Sequence, residues 1–229
     1  NFPFLLLLAS GGHCQLLVVE GISQYRRLGT TLDDAPGEAF DKVARMLGLE
    51  YPGGPAVEKF ALEGDPQGYS LPRPLKGRKG CDFSFSGLKT AVARIIETEG
   101  LIEKNIPTIC ASFQEAVSDI FIDRLENAVS LLNTPLEKRV ERLVVAGGVA
   151  ANKTIRRRLL EKSKDLGLDF TAPPPEFCTD NGAMIAWAGA ERILLGLIDG
   201  LDTPARARWP LDALPKPISS RQSVTRSNG

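Results

Sequence analysis

The sequence predicts an α/β fold, a mixed sheet with flanking helices, and three features of the chain predict it. Phe4–Ala9 and Leu143–Ala146 are apolar runs of strand length, each followed by a glycine pair, Gly11-Gly12 and Gly147-Gly148. The first run is followed by two further strand-like segments, which makes a meander opening. Beyond them, stretches of helical periodicity are interspersed with short strand-like runs, as in an α/β layer architecture.

In chain order, Gln15–Glu20 reads as the second strand and Tyr25–Thr31 as the third, with Glu20-Gly21 as punctuation. Pro36–Leu47 places Ala39, Phe40, Val43, Ala44 and Leu47 at helical spacing, with Pro36 in the first turn and Gly48 at the stop. Tyr51-Pro52-Gly53-Gly54-Pro55 reads as a rigid loop and Ala56–Leu62 as a short helix behind it. From Glu63 to Gly80 prolines, glycines and the cations Arg73, Lys76, Arg78 and Lys79 dominate, which predicts an irregular, solvated segment. Aromatic and polar residues alternate over Cys81–Phe85 as in a short strand, and Ser86 is placed to cap a helix over Gly87–Glu97.

Pro107–Leu132 carries a long apolar stripe through Ile109, Phe113, Val117, Ile120, Phe121, Leu125 and Ala128, ended by Asn133-Thr134-Pro135. After the Leu143 run and its glycines, Lys153–Lys162 is helical in character and Leu168–Thr171 is another short strand. Ala172-Pro173-Pro174-Pro175 cannot be sheet interior and serves as a stiff connector. Thr179 is a suitable N-cap for a helix through Met184, Ile185, Trp187, Ala188 and Ile193, which puts Asp180 at its first position. Residues 216–229 lack periodicity and read as a tail.

The 229 residues suffice for an ample core without staples. Twenty-eight basic and 28 acidic residues cancel, so the total charge does not demand a nucleic-acid partner, although a neutral total can hide a basic face. Cys14, Cys81, Cys110 and Cys178 are widely spaced with no Cys-x-x-Cys pair, which argues against zinc held by cysteines and fits buried thiols in a reducing compartment. No apolar run reaches the length of a membrane helix, and the expectation is a soluble, intracellular protein.

Two strand-to-glycine turns, Ser10-Gly11-Gly12-His13 and Gly147-Gly148, suggest one shared site. Backbone N–H groups at the helix start behind Gly148 could receive a nucleotide phosphate or another anion, and a plain turn is the simpler reading of either motif alone. Meander strands followed by helix–strand alternation, with glycine turns converging, fit a lobe of the actin-like ATPase (ASKHA) type.

Six motifs then occur in order: Ser10-Gly11-Gly12-His13, Gly37-Glu38-Ala39-Phe40-Asp41-Lys42, Tyr51-Pro52-Gly53-Gly54-Pro55, Asp82-Phe83-Ser84-Phe85-Ser86-Gly87-Leu88-Lys89-Thr90, Gly147-Gly148-Val149-Ala150-Ala151-Asn152 and Phe177-Cys178-Thr179-Asp180-Asn181-Gly182-Ala183-Met184. In this series the chain resembles the TsaD (YgjD/Gcp) family of bacteria and organelles, from about Phe2 to Leu214. The resemblance implies a two-lobed actin-like fold of which residues 1–215 are the second lobe. The implied reaction is transfer of a threonylcarbamoyl group from threonylcarbamoyl-AMP to N6 of adenosine 37 in tRNAs reading ANN codons.

Carried over by motif, Leu8, Ala9, Ser10, Gly11 and Gly12 would line the adenylate or an ATP-like nucleotide, and Asp41 would accept its ribose hydroxyls. Gly54 would admit backbone to the adenosine portion, and Asn152 would hold the nucleotide beside Gly147 and Gly148. Residue chemistry leaves other uses open, a helix-terminal carboxylate for Asp41 and a cap for Asn152. Asp180 resembles the family's aspartate ligand to one divalent metal, iron or zinc, and a cap is again the alternative. The family's His-x-x-x-His pair has no counterpart here, because His13 is the sole histidine and is assigned to its turn.

The chain starts at Asn1 on a strand-like run, so the expectation is a truncation that lacks the first lobe and its histidines. Lys89 could neutralise phosphate, and an exposed helix lysine is the alternative. No catalytic base is assigned. The implied partners are tRNA, a TsaB-like paralogue and a TsaE-like ATPase, in a bacterial cytoplasm, mitochondrion or plastid. An inactive lobe that binds only nucleotide or a partner is the competing class, and a small-molecule kinase of the same fold is a third.

Overall fold

The computed structural model describes residues 2–100, 103–132 and 140–205. Residues 133–139 and the expected tail, 216–229, lie outside the described residues. Five strands form one sheet: β1 (Phe4–Ala9), β2 (Cys14–Gly21), β3 (Gln24–Thr30), β4 (Arg142–Ala146) and β5 (Asp169–Thr171), in spatial order β3-β2-β1-β4-β5. The meander β1-β2-β3 is antiparallel, while β4 runs parallel to β1 and β5 parallel to β4. The mixed sheet predicted from the sequence is therefore the sheet observed.

Strand β1 is apolar on both faces, which suits a central strand covered on either side. Leu5, Leu7 and Ala9 point into the main core, and Leu143 and Val145 of β4 continue the same face. Helices α1 (Pro36–Met46), α4 (Ile106–Leu132) and α5 (Lys153–Asp165) contribute Phe40, Val43, Phe113, Val117, Ile155 and Leu159 to that core. Phe40 and Phe113 meet edge to face at 4.9 Å, a favoured aromatic geometry. All four cysteines are free and buried, as their spacing suggested. Burial pushes the Cys110 thiol up to about 12 and raises Cys14 as well.

Helix α4, at 27 residues, is the longest element among the described residues. Helix α2 (Gly53–Ala61) starts three residues earlier than the sequence suggested. Gly53 and Gly54 form its first turn rather than a loop, because Asp41 Oδ1 accepts the Gly53 N–H at 2.8 Å and supplies a cap that Pro52 cannot.

Helix α3 (Ser86–Glu99) shows the same principle. The cap expected from Ser86 comes instead from Asp33, whose Oδ1 accepts the N–H groups of Phe85 at 2.8 Å and Ser86 at 3.2 Å. Its Oδ2 accepts the hydroxyls of Ser84 at 2.5 Å and Ser86 at 2.8 Å. The expected strand over Cys81–Phe85 reduces to one bridge, Phe83 beside Thr31.

Burial acts to raise the Asp33 pKa, but the Ser84, Phe85 and Ser86 hydrogen bonds outweigh it and hold the carboxyl below its ordinary value. The stabilisation is thus complete above the unfolded carboxyl pKa near ~4 and is lost as pH falls through the lower folded pKa. Asp33→Ala is expected to cost about 1–2 kcal/mol at neutral pH, solvent screening keeping it modest. Urea titrations at pH 7 and in strong acid should show that difference shrinking toward zero in acid.

Helix α6 (Gly182–Leu194) lies over the second sheet face, held by Arg192 Nη1 donating to Ser23 Oγ at 3.1 Å. A cavity of about 560 Å³ separates it from Phe4, Leu6, Val19 and Tyr25. The cap expected from Thr179 is supplied by Asn181, whose Oδ1 accepts the Met184 N–H at 3.0 Å, so Asp180 precedes the helix rather than opening it. None of the helix residues is buried, and Ile185 and Trp187 remain largely exposed.

Candidate functional site

Parallel pairing brings the carboxyl ends of β1 and β4 side by side, Leu8 opposite Ala146, and both glycine turns leave the sheet there. Chain crevices at such ends are where α/β sheets take ligands. The first turn is closed by Ser10, whose N–H donates to the His13 carbonyl at 2.8 Å while its Oγ accepts the His13 N–H at 3.1 Å. His13 therefore joins the turn through its backbone. Helix α1 abuts the turn through Gly37, whose N–H donates to the Ser10 carbonyl at 3.1 Å, and a Cβ there would lie 2.7 Å from Gly11 Cα.

The second turn touches the first strand. Gly147 has φ +94, and a Cβ on it would stand 2.3 Å from the Ala9 carbonyl oxygen, so only glycine fits. Gly11, Gly12, Gly54 and Gly148 behave differently. A Cβ on any of them would meet nothing within 4 Å, so packing within the chain does not demand glycine at these positions. Their bare backbone faces open space in the cleft.

That cleft has two adjoining compartments. The larger, about 1210 Å³, is lined by Leu8, Ser10, Gly11 and Gly12 on one side and by the Phe177–Asn181 segment and Trp187 on the other. The smaller, about 260 Å³, is lined by Asp41, Gly54, Glu58 and Asn152, and both compartments touch Gly11, Gly148 and Thr179. Of the residues expected to contact substrate, Leu8, Ser10, Gly11, Gly12, Asp41, Gly54 and Asn152 line the cleft, and Ala9 is buried behind it.

Several of these side chains also hold the fold. Asn152 caps α5, its Oδ1 accepting the Ile155 N–H at 2.9 Å and its Nδ2 donating to Gln114 Oε1 at 2.6 Å. One amide hydrogen remains for a ligand. Asp41 has committed Oδ1 to Gly53. The helix start behind Gly148 departs from the expected anion site, because Glu58 Oε1 already accepts the Lys153 N–H at 2.6 Å. A carboxylate from α2 thus occupies the place an anion would take. Glu58 was missed in the sequence because only the fold, with α2 and α5 both packed on α4, brings it to Lys153. Lys89 Nζ lies 3.8 Å from Asp34, which also takes Lys42 at 2.8 Å, so Lys89 is balanced within the protein.

Asp180 is exposed on the wall of the larger compartment, with His13 and Cys178 on the same lining. Among the described residues no group of three or more His, Cys, Asp or Glu side chains is arranged to hold a metal ion. Cys178 is buried with its sulfur 3.5 Å from Arg156 Nη2, a cationic donor that disfavours a second cation there. The donors among the described residues do not fit a three-ligand catalytic metal by themselves.

Comparison with known proteins assigns the chain. Residues 1–187 match the family model for TsaD, tRNA N6-adenosine threonylcarbamoyltransferase. A protein of that name from Rhodospirillum rubrum is 58% identical over 215 residues, covering 93% of this chain and 59% of the relative. Another from Ehrlichia canis is 53% identical over 215 residues, covering 93% of this chain and 61% of the relative. The chain thus spans about three fifths of the length of the curated relatives it matches.

In fold, it is similar to full-length HypF solved in a phosphate- and nucleotide-bound form, with a TM-score of 0.60 at 15% identity over 85% of this chain and 34% of that one. No helix among the described residues is long and apolar enough to cross a membrane. With its mixed-sheet lobe and its glycine-walled cleft, the chain belongs to the TsaD family of tRNA N6-adenosine threonylcarbamoyltransferases.

Proposed function

We propose that the chain takes part in threonylcarbamoyl transfer from threonylcarbamoyl-AMP to N6 of adenosine 37 in tRNAs reading ANN codons, acting in the bacterial cytoplasm as the second lobe of a two-lobed acyltransferase. The observation that supports this most is the cleft where the two glycine turns, Asp41, Gly54 and Asn152 converge beside membership of the family. Partners in this reading are the tRNA and a TsaB-like and a TsaE-like protein.

In the reaction the N6 amine attacks the carbamoyl carbonyl. A C–N bond forms, the C–O bond to phosphate breaks, AMP leaves with the electron pair, and the amine loses a proton. The chain's own groups bind and orient. Gly11, Gly12 and Gly148 let the adenylate approach backbone, which suits phosphate recognition by N–H groups. The Asp41 oxygen not bonded to Gly53 is an acceptor for a ribose hydroxyl, and the free Asn152 amide hydrogen donates to an acceptor of the adenylate. Ala9 acts from behind, by shaping the turn.

Within this reading a single iron or zinc ion per protein would polarise the acyl group, and Asp180 is the ligand this chain offers. The absence of a three-donor set among the described residues favours a second reading, a lobe that binds adenylate without transferring the acyl group. One experiment separates them. The full chain is incubated with threonylcarbamoyl-AMP, an ANN-reading tRNA transcript and ferrous or zinc ion, with and without the two partner proteins, and modified adenosine is quantified by mass spectrometry. Product in either arm supports the transferase; adenylate binding with no product in both arms supports the binding lobe.

A further inference from the structure

The segment read from the sequence as a solvated charge cluster is a loop fastened from beneath by α4. Between Asp65 and Asp82 there are four cations, Arg73, Lys76, Arg78 and Lys79, and no acidic residue. Arg124 of α4, 1% exposed, lies beneath the loop and donates to the carbonyls of Leu75 at 2.6 Å, Arg78 at 2.9 Å and Gly80 at 3.1 Å. Asn127 Nδ2 donates to the carbonyls of Arg78 at 2.7 Å and Gly80 at 2.9 Å, and Asp123 Oδ1 accepts the Gly77 N–H at 2.9 Å. Leu75 is held at φ +63, in the left-handed region that a leucine avoids unless its surroundings impose it.

The charges divide by direction. Beneath the loop, Asp119 takes Arg73 Nε at 3.0 Å and Arg158 at 2.9 Å, and Asp123 pairs with Arg124, so the acids of α4 are balanced from within. Burial would raise the Asp119 carboxyl, but the hydrogen bonds from Arg158 and Arg73 outweigh it and keep it ionised. Lys76, Arg78 and Lys79 are exposed on the outer side. Among the described residues no carboxylate pairs with Arg78 or Lys79, and Lys76 reaches only Asp119 at 3.7 Å. Arg94, also exposed, lines a groove of about 620 Å³ between the start of this loop and α3. A chain of zero net charge thus carries a local cationic ridge on backbone that cannot rearrange to neutralise it.

We propose that this ridge, Lys76, Arg78 and Lys79, is a docking surface for the phosphate backbone of RNA. Fixed, exposed cations, two of them paired with no carboxylate among the described residues, are what a polyanion needs, and immobilising the loop beforehand removes an ordering cost from binding. The choice of RNA rests on the transferase reading above. The same α4 that fastens the ridge bears Gln114, the partner of Asn152 in the cleft, so ridge and cleft belong to one rigid frame.

The test uses the full chain and an ANN-reading tRNA transcript, with binding followed by fluorescence anisotropy over a salt series. The triple variant Lys76→Ala, Arg78→Ala, Lys79→Ala is expected to bind at least about tenfold more weakly at moderate salt. Its log-affinity against log-salt slope should fall by about 2 units, from some 0.7–0.9 per lost phosphate contact. Circular dichroism and melting temperature should stay at wild-type values, and Arg157→Ala, an exposed cation paired with Glu161, should bind as wild type. Equal affinity and slope for the triple variant overturn the ridge and leave the transferase reading standing. So does tighter binding of phosphatidylserine vesicles than of tRNA through the same residues, which assigns the ridge to a membrane. A wild-type chain that does not bind the transcript overturns the ridge, and absence of modified adenosine in the transfer assay tests the transferase reading separately.

Discussion

Gly147→Val is expected to lower the free energy of unfolding by about 4 kcal/mol, with Gly147→Ala losing somewhat less. Two costs add. The residue sits at φ +94 and ψ 169, a region almost confined to glycine, where a side chain costs about 1–3 kcal/mol. In addition the Cβ would meet the Ala9 carbonyl at 2.3 Å, and that oxygen is backbone of the central strand and cannot swing aside. Relief requires β1 and β4 to move apart, which opens the core between Leu7 and Val145. Urea unfolding should show the loss as a lower midpoint with an unchanged slope. Gly148→Ala, next in sequence with open space at its Cβ, should stay within about 1 kcal/mol of wild type.

Arg124→Met is expected to cost about 3–5 kcal/mol, the range for removing one partner of a buried charged network. The substitution leaves the Leu75 carbonyl without its donor, those of Arg78 and Gly80 with Asn127 alone, and the Asp123 carboxylate without its cation. Arg124→Lys should recover little, because one ammonium cannot reproduce a planar fork that reaches three carbonyls in different directions. The same urea titration measures the loss, and proteolysis within residues 73–80 should become fast in both variants while the rest of the chain stays resistant.

Elements built on local periodicity were legible in the sequence. Helices α1 and α4 follow their apolar spacing to within a residue or two, and the strand–glycine–helix unit around Gly147 lies where its composition placed it. The two glycine turns were rightly expected to meet, because a parallel β1–β4 pair brings their ends together. What escaped the sequence was held by partners far along the chain. Helix α3 is capped by Asp33, 53 residues from Ser86, where local reasoning offered Ser86 itself. Helix α2 begins at Gly53 because Asp41, 12 residues earlier, caps it; Pro-Gly-Gly-Pro alone reads as a loop.

The candidate site divides along the same line. Asn152 was readable as a cap, but its bond to Gln114 joins residues 38 apart, and Glu58 reaches Lys153 across 95 residues. Nothing in the periodicity of α4 marks Arg124, and only the folded loop above it explains why a cation is buried there.

Helix α4 also serves as a ruler. Gln114 grips Asn152 at one point of the rod, and Asp123 grips Gly77 nine residues further on, about 14 Å along the axis at 1.5 Å per residue. The spacing between cleft and loop is therefore fixed by helical pitch rather than by the lengths of connecting segments. One residue inserted into α4 between those grips would turn the far end by about 100° and carry the loop to a different side of the rod. Insertions elsewhere in residues 63–72 would leave that gauge untouched.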